Sequence, residues 1–403
     1  MFHATTLLEH APEVWADNLA AAAAHGIDEF RVMGVLNWPQ DVQDELPSEP
    51  RHVEKIVQAV DDAAAAGIRT DLCLFGGQSD VPELQALSAC EDYARRVCRA
   101  LKNRSTIRIT VANEPGDTRV WRHGLEGLRR IRDVVRQELP GVLVGLGAPW
   151  HPESEGTCEW TRNSDENGEN ALPWFGVGCD TIGPHYGRST SRRRNARQPW
   201  LGRRDSSGTD CVMVDEEPIG SYNYYRADGS LTNQNEQDPL NLGVYATASW
   251  CQGHAVYCLH TGAGIGYQRL SAPPYYLRLR DMPGLAHAAA AKAVLPADLA
   301  GYRFANWGWS LDQGQLFQRD YEPNDNDGTP PTRGHCATSG DRFVLHEMFG
   351  ELAYDLTARC RVTFTVFDRQ GVAFVQTDQR TLNINDRIRF EPCLDRLLIG
   401  RFQ

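Results

Sequence analysis

Two glutamates occupy nearly the same local setting in this sequence. Residues 111–115 read VANEP and residues 214–218 read VDEEP, so Glu114 and Glu217 each precede a proline at the end of a β-type run. Proline has no N–H to donate to a strand ladder, so each run stops there and leaves a carboxylate at its rim. Two carboxylates brought close together cannot both ionise readily. One keeps its proton and serves as an acid, while the other stays charged and serves as a nucleophile or base. Whether that division of labour arises depends on the elements that carry them.

Short β-type runs occur at 2–5, 27–36, 68–75, 106–112, 142–147, 179–185, 210–216 and 254–260, with helical patterns at 11–25, 50–66, 84–101, 119–138, 238–251 and 284–294. In the second of these helices Val53, Ile56, Val57, Val60 and Ala64 recur at three- and four-residue spacing, and Gly67 is placed to cap its end. Strands alternating with helices imply parallel pairing. Eight of them within the first 297 residues predict a closed (β/α)8 TIM barrel rather than an open sheet. An open sheet would more often carry a glycine-rich phosphate loop after its first strand. The glycines of GAGIG at 262–266 have neither that spacing nor a following helix.

Side-chain parity then selects which carboxylates face the barrel interior, because the strongly apolar set usually packs outward on helices. In the fourth predicted strand Ile107, Ile109 and Val111 form the outward set, leaving Arg108, Thr110, Ala112 and Glu114 inside. In the seventh, Val212, Val214 and Glu216 share the outward phase, and Met213, Asp215 and Glu217 face inward. A bulge at the strand end would exchange Glu216 for Glu217. The same test places Phe30 and Val32 outside and Arg31 inside on the second strand, and His185 inside on the sixth.

This set of residues resembles the clan A glycoside hydrolases, the barrel group that includes family-5-like cellulases and mannanases. The matching marks are Asn113-Glu114 ending strand four, Glu217 ending strand seven, Arg31 on strand two and His185-Tyr186 ending strand six. They cover roughly residues 1–297. The resemblance implies a retaining β-glycosidase, with Glu114 as acid and base and Glu217 as nucleophile about 5–5.5 Å away. Arg31 beside Glu217 would keep that carboxyl ionised, and Asn113 would donate to the sugar 2-hydroxyl. Tyr186 and Tyr222 are both candidates for a hydrogen bond to the nucleophile. Enzymes of this group commonly end strand eight in a tryptophan that floors the sugar site. Here the region reads YCLHTGAG, with His260 and no tryptophan. Trp38, Trp150, Trp174 and Trp200, all in loops after strands, are the remaining candidates for stacking on a sugar ring.

Composition bounds the alternatives. The net charge of −12 argues against a general nucleic-acid binder, and no run approaches the roughly 18 apolar residues of a membrane span. Lysine occurs only at Lys55, Lys102 and Lys292, the other cations being arginines, a bias read here as genomic. MFHATTLLEH lacks the basic and apolar regions of a signal peptide, so the expected location is cytoplasmic. The 11 cysteines are odd in number and contain no CxxC pair, and several lie in apolar segments, which predicts reduced thiols. No ligand spacing for a metal is present, and no cofactor is expected.

After residue 297 the alternation ends. Residues 298–340 read as a linker or long loop, and 341–403 as a small all-β, sandwich-like domain. The partner expected is a carbohydrate. The arginines from Arg188 to Arg204 read as a solvated loop, or as a docking surface for an acidic glycan or protein, and the C-terminal domain is a second candidate protein contact. The alternative function is a non-catalytic carbohydrate-binding or assembly protein, for example virion-associated, built on the same barrel.

Overall fold

A computed structural model describes residues 4–35, 46–77, 81–115, 121–147, 178–183, 211–215, 239–252, 256–257, 278–281, 284–307, 316–319, 334–350 and 353–403. The chain divides into two compact units. One comprises residues 1–188, 205–237 and 256–283, and the other 189–204, 238–255 and 284–403.

The first unit opens with helices α1 (Ala4–His10) and α2 (Pro12–Ala24). Strand and helix then alternate: β1 (Glu29–Val35), α3 (His52–Ala65), β2 (Arg69–Phe75), α4 (Leu87–Ala100), β3 (Ile107–Ala112), α5 (Gly124–Glu138) and β4 (Leu143–Gly145). Strands β1 to β4 pair in parallel in chain order. A second parallel set follows, β5 (Thr181–Ile182), β6 (Val212–Asp215) and β7 (Val256–Tyr257). The two sets adjoin: Asp180 N–H donates to Val144 O at 2.8 Å, and Val144 N–H donates to the Asp180 carboxylate at 3.0 Å.

Residues 4 and 5, expected in a first strand, are helical instead. Ala4, Leu7 and Ala11 are all buried at helical spacing, and Ala11 N–H closes a turn on Leu7 O at 2.8 Å. A four-residue apolar run fits either period, and here length and packing decide for the helix. The described residues therefore supply seven parallel strands, not eight.

The helices end as the sequence implies. Gly26 (φ 68°) and Gly67 (φ 76°) adopt left-handed backbone. The next residues, Ile27 and Ile68, donate back to Ala22 O and Ala63 O at 3.0 and 2.9 Å. This closes each helix and sends the chain into β1 or β2. The buried stripe of α3 is rotated from the apolar spacing, running through His52, Lys55, Ile56, Ala59, Val60 and Ala63. Two polar partnerships turn it: Lys55 pairs with Glu9 at 2.8 Å, and His52 Nε2 lies 3.0 Å from the Tyr93 hydroxyl.

The second unit contains helices α6 (Pro239–Cys251) and α7 (Leu285–Val294). Its strands are β8 (Arg303–Trp307), β9 (Phe317–Arg319), β10 (Gly334–Ser339), β11 (Arg342–Gly350), β12 (Tyr354–Ala358), β13 (Val362–Gln370), β14 (Ala373–Leu382), β15 (Arg387–Phe390) and β16 (Cys393–Phe402). They form two antiparallel sheets, ordered β14-β13-β16-β11-β10-β8 and β15-β12-β9. One core joins the sheets, where Phe317, Leu356 and Phe390 of the smaller meet Phe343, Phe364 and Leu398 of the larger. Strands β8, β9 and β10 lie within the span 298–340. They are short and flanked by Pro, Gly and Asn, so composition alone reads the whole span as loop.

Cys73, Cys98 and Cys211 are buried free thiols and Cys179 is half-buried. Desolvation pushes the Cys98 thiol up to about 12.

Candidate functional site

The site is built on one face of β1, β2 and β3. On β1, Phe30 packs on Trp15 of α2 with ring centroids 6.1 Å apart. Its neighbours in the other phase, Glu29 and Arg31, meet charged partners across the sheet. Arg31 Nε lies 3.3 Å from Asp71 Oδ2 on β2. Arg108 of β3 reaches both strands, with Nε 2.9 Å from Glu29 Oε1 and Nη2 3.0 Å from Asp71 Oδ2. Thr110 Oγ1 donates to Asp71 Oδ1 at 2.8 Å. All of these side chains are at most 4% exposed.

Such a cluster exists only because its charges balance. Two guanidinium cations face two carboxylate anions, and an isolated buried charge would cost many kilocalories. Strand register brings them together: Arg31 pairs with Asp71 and Asp71 with Arg108 in the parallel ladder.

Along β3 the same phase continues through Ala112 to Glu114, which is half-buried at the strand end. The rim around it is latched by main-chain bonds. Gly76 N–H donates to Val35 O at 2.7 Å, Asn113 N–H to Phe75 O at 2.9 Å, and Ala112 N–H to Leu146 O at 3.1 Å. Phe75 rests against Trp121 at 5.3 Å, and Trp121 Nε1 donates to Gly124 O at 2.9 Å. Gly147, with φ 110°, lies so close to the Ala112 carbonyl that no side chain fits there. The end of β4 therefore presses directly on the backbone that carries Asn113 and Glu114.

The structure thus sets Arg31 on β1, and Asn113 and Glu114 just past the end of β3, with β2 between the two strands. Glu217, His185, Tyr186, Tyr222, Trp38, Trp150, Trp174, Trp200 and His260 lie outside the described residues, as do the arginines from Arg188 to Arg204. The Asp71 carboxylate, at the centre of the buried cluster, was not among the residues singled out from the sequence. A signal for it exists in RTDLCLF, where an acid interrupts an apolar strand at the same phase as Arg69 and Cys73. Among the described residues no group of three or more His, Cys, Asp or Glu side chains could hold a metal ion. No helix among them is long and apolar enough to cross a membrane.

No protein-family model matches the sequence, and no curated protein matches it. Solved structures match in fold. A glycoside hydrolase family 5 structure from Bacteroides vulgatus ATCC 8482 is similar with a TM-score of 0.62 at 12% identity, over 97% of this chain and 86% of that one. Another glycoside hydrolase structure gives a TM-score of 0.62 at 11% identity, over 96% of this chain and 88% of the other. The fold is therefore shared with glycoside hydrolases over nearly the whole chain.

Proposed function

We propose that the chain is a retaining β-glycoside hydrolase acting on a poly- or oligosaccharide by double displacement. In this reading the seven described parallel strands belong to a barrel of the (β/α)8 type, and a small β-sandwich domain follows in the chain. The observation that carries this reading is the phase of β3 on a glycosidase-like fold. Arg108 and Thr110 point to the buried face, and Glu114 follows in the same phase, half-exposed at the rim.

In this reading Glu217 attacks the anomeric carbon while Glu114 gives its proton to the departing glycosidic oxygen. The resulting glycosyl-enzyme ester is opened by water, whose proton Glu114 takes as base. The positive charge of Arg31 keeps Glu217 ionised, and the carboxylate of Glu217 in turn holds the proton on Glu114. Asn113 meets the sugar 2-hydroxyl. His185, Tyr186 and His260 line the sugar subsite, and Trp38 and Trp150 supply apolar faces for the ring.

The test is covalent trapping. A deoxyfluoro-glycoside with a dinitrophenyl leaving group should add one fluoro-sugar to the protein, on a peptide containing Glu217. Replacing Glu114 by Ala should lower turnover of para-nitrophenyl β-glycosides about a thousandfold, with partial recovery on adding azide. One sequence feature favours a second reading, a carbohydrate-binding or assembly protein without turnover: YCLHTGAG carries no tryptophan for the sugar floor. Polysaccharide binding with no label and no hydrolysis across a panel of β-glycosides would decide for that alternative.

A further inference from the structure

We infer that Asp71 is a positioning residue, one that orients Arg31 and balances its charge on the strands that lead to Glu114. The inference rests on the glycosidase reading above and adds to it a residue that touches no substrate. Asp71 is fully buried on the middle strand of the three. Oδ2 lies between Arg31 Nε at 3.3 Å and Arg108 Nη2 at 3.0 Å, and Oδ1 accepts from Thr110 Oγ1 at 2.8 Å. The Thr110 hydrogen bond fixes the carboxylate, and Oδ2 faces both guanidinium groups as a counter-charge without a hydrogen bond to either.

Stability alone gives no reason for this arrangement. Burying ion pairs rarely gains over apolar packing of the same volume, and the interiors of such barrels are usually filled with branched apolar side chains. The five polar residues lie on three strands of one parallel sheet, and the contacts described for them stay within it. What they do accomplish is to hold one cation in a set orientation on the face that leads to Glu114. Arg31 without a counter-charge would depress both candidate carboxyls, and the acid would lose its proton too easily. With Asp71 present, Arg31 can favour the ionised nucleophile while leaving the acid protonated.

Glu29 provides the control. It belongs to the same cluster and carries the same charge, but it contacts Arg108 rather than Arg31. With para-nitrophenyl β-glycosides, Asp71→Asn should lower kcat by about a hundredfold with little change in KM. Both limbs of its pH–rate profile should move to lower pH by about one unit. Glu29→Gln removes the same charge and should lower thermal stability to a similar degree, yet leave the limbs in place. Asp71→Glu restores the charge and should return the limbs toward the parent profile. If the Asn variant does not fold, Thr110→Val loosens Asp71 without changing charge and should lower kcat several-fold with unmoved limbs. Equal losses in Asp71→Asn and Glu29→Gln with unmoved limbs, or a Thr110→Val enzyme with parental kcat, would overturn the positioning role. A parent protein that neither turns over glycosides nor takes the fluoro-sugar label would instead remove the glycosidase reading beneath it.

Discussion

Among the described residues, two buried charge clusters draw on overlapping residue types in different settings. In the first unit, Glu29, Arg31, Asp71 and Arg108 share one face of three adjacent strands. In the second, Asp395 of β16 binds His346 Nε2 of β11 and Arg369 Nε of β13, each at 2.6 Å. Arg369 then donates through Nη1 to Val372 O at 2.8 Å and to His287 O of α7 at 3.2 Å, and its guanidinium lies over Phe374 at 4.2 Å. His346 stacks near His335, whose ring is hydrogen-bonded to Gln252 at the end of α6.

The second cluster ties helices to a sheet through Arg369 to His287 of α7 and His335 to Gln252 beside α6, while its contacts among β10, β11, β13 and β16 lie between strands already joined by ladders. The described contacts of the first cluster stay within the sheet of β1, β2 and β3, where Arg108 to Glu29 links two strands that do not pair directly. Buried charge is costly in both places. In the C-terminal unit its return is mechanical. In the parallel strands the role inferred above for Asp71 is electrostatic.

The largest test of this contrast is Asp395→Asn. It leaves Arg369 buried without its anion, and unfolding by urea should show a loss of about 3–5 kcal/mol. Turnover per folded molecule should stay at the parent value, opposite to the effect expected at Asp71. A kinetic defect measured well below the unfolding temperature would break the distinction between the two clusters.

A smaller effect concerns His52, which lies in the first unit but outside its charge cluster. Burial, with help from Arg96 and Lys55, lowers its pKa from 6.5 to about 4. The folded protein therefore binds this proton less readily than the unfolded chain. The associated stability is complete above the unfolded pKa and falls as the pH drops from 6.5 towards about 4. At roughly 1.4 kcal/mol per unit the loss is on the order of 3 kcal/mol. Urea midpoints across that window should fall more steeply for the parent than for His52→Gln. Parallel curves would show that the imidazole is not the group responsible.

The smallest effect is expected at Gly147. Alanine there would need left-handed backbone and would meet the Ala112 carbonyl. A cost of about 1–3 kcal/mol follows, together with lower turnover, because the strain falls on the backbone of Asn113 and Glu114. A calorimetric midpoint within error of the parent would show that the rim relaxes freely and that the latch described for it is loose.

Much of this architecture is legible from local patterns. Six helices emerge from three- and four-residue apolar spacing, and Gly26 and Gly67 end two of them as capping chemistry requires. Strand parity separates Phe30 from Arg31, and Ile109 from Thr110, because alternation across a strand is a short-range rule. The reading fails where local signals are ambiguous. Four residues at the N-terminus suit a strand as well as a helix. The stripe of α3 is turned by Lys55 and His52, whose partners Glu9 and Tyr93 come from other helices. Strands β8 to β10 are too short and too richly flanked by turn residues to stand out.

The sequence by itself determined the alternation of strands and helices, the proline that follows β3 beside Glu114, and the phase Glu114 shares with Arg108 and Thr110. These follow from neighbouring residues and the fixed periods of backbone structure. Only the tertiary structure decided that Arg31, Asp71 and Arg108 meet, since parallel register brings together residues 40 and 37 positions apart. Charges scattered along a sequence have no partners until strands are aligned, and their burial is tolerable only once those partners are in place.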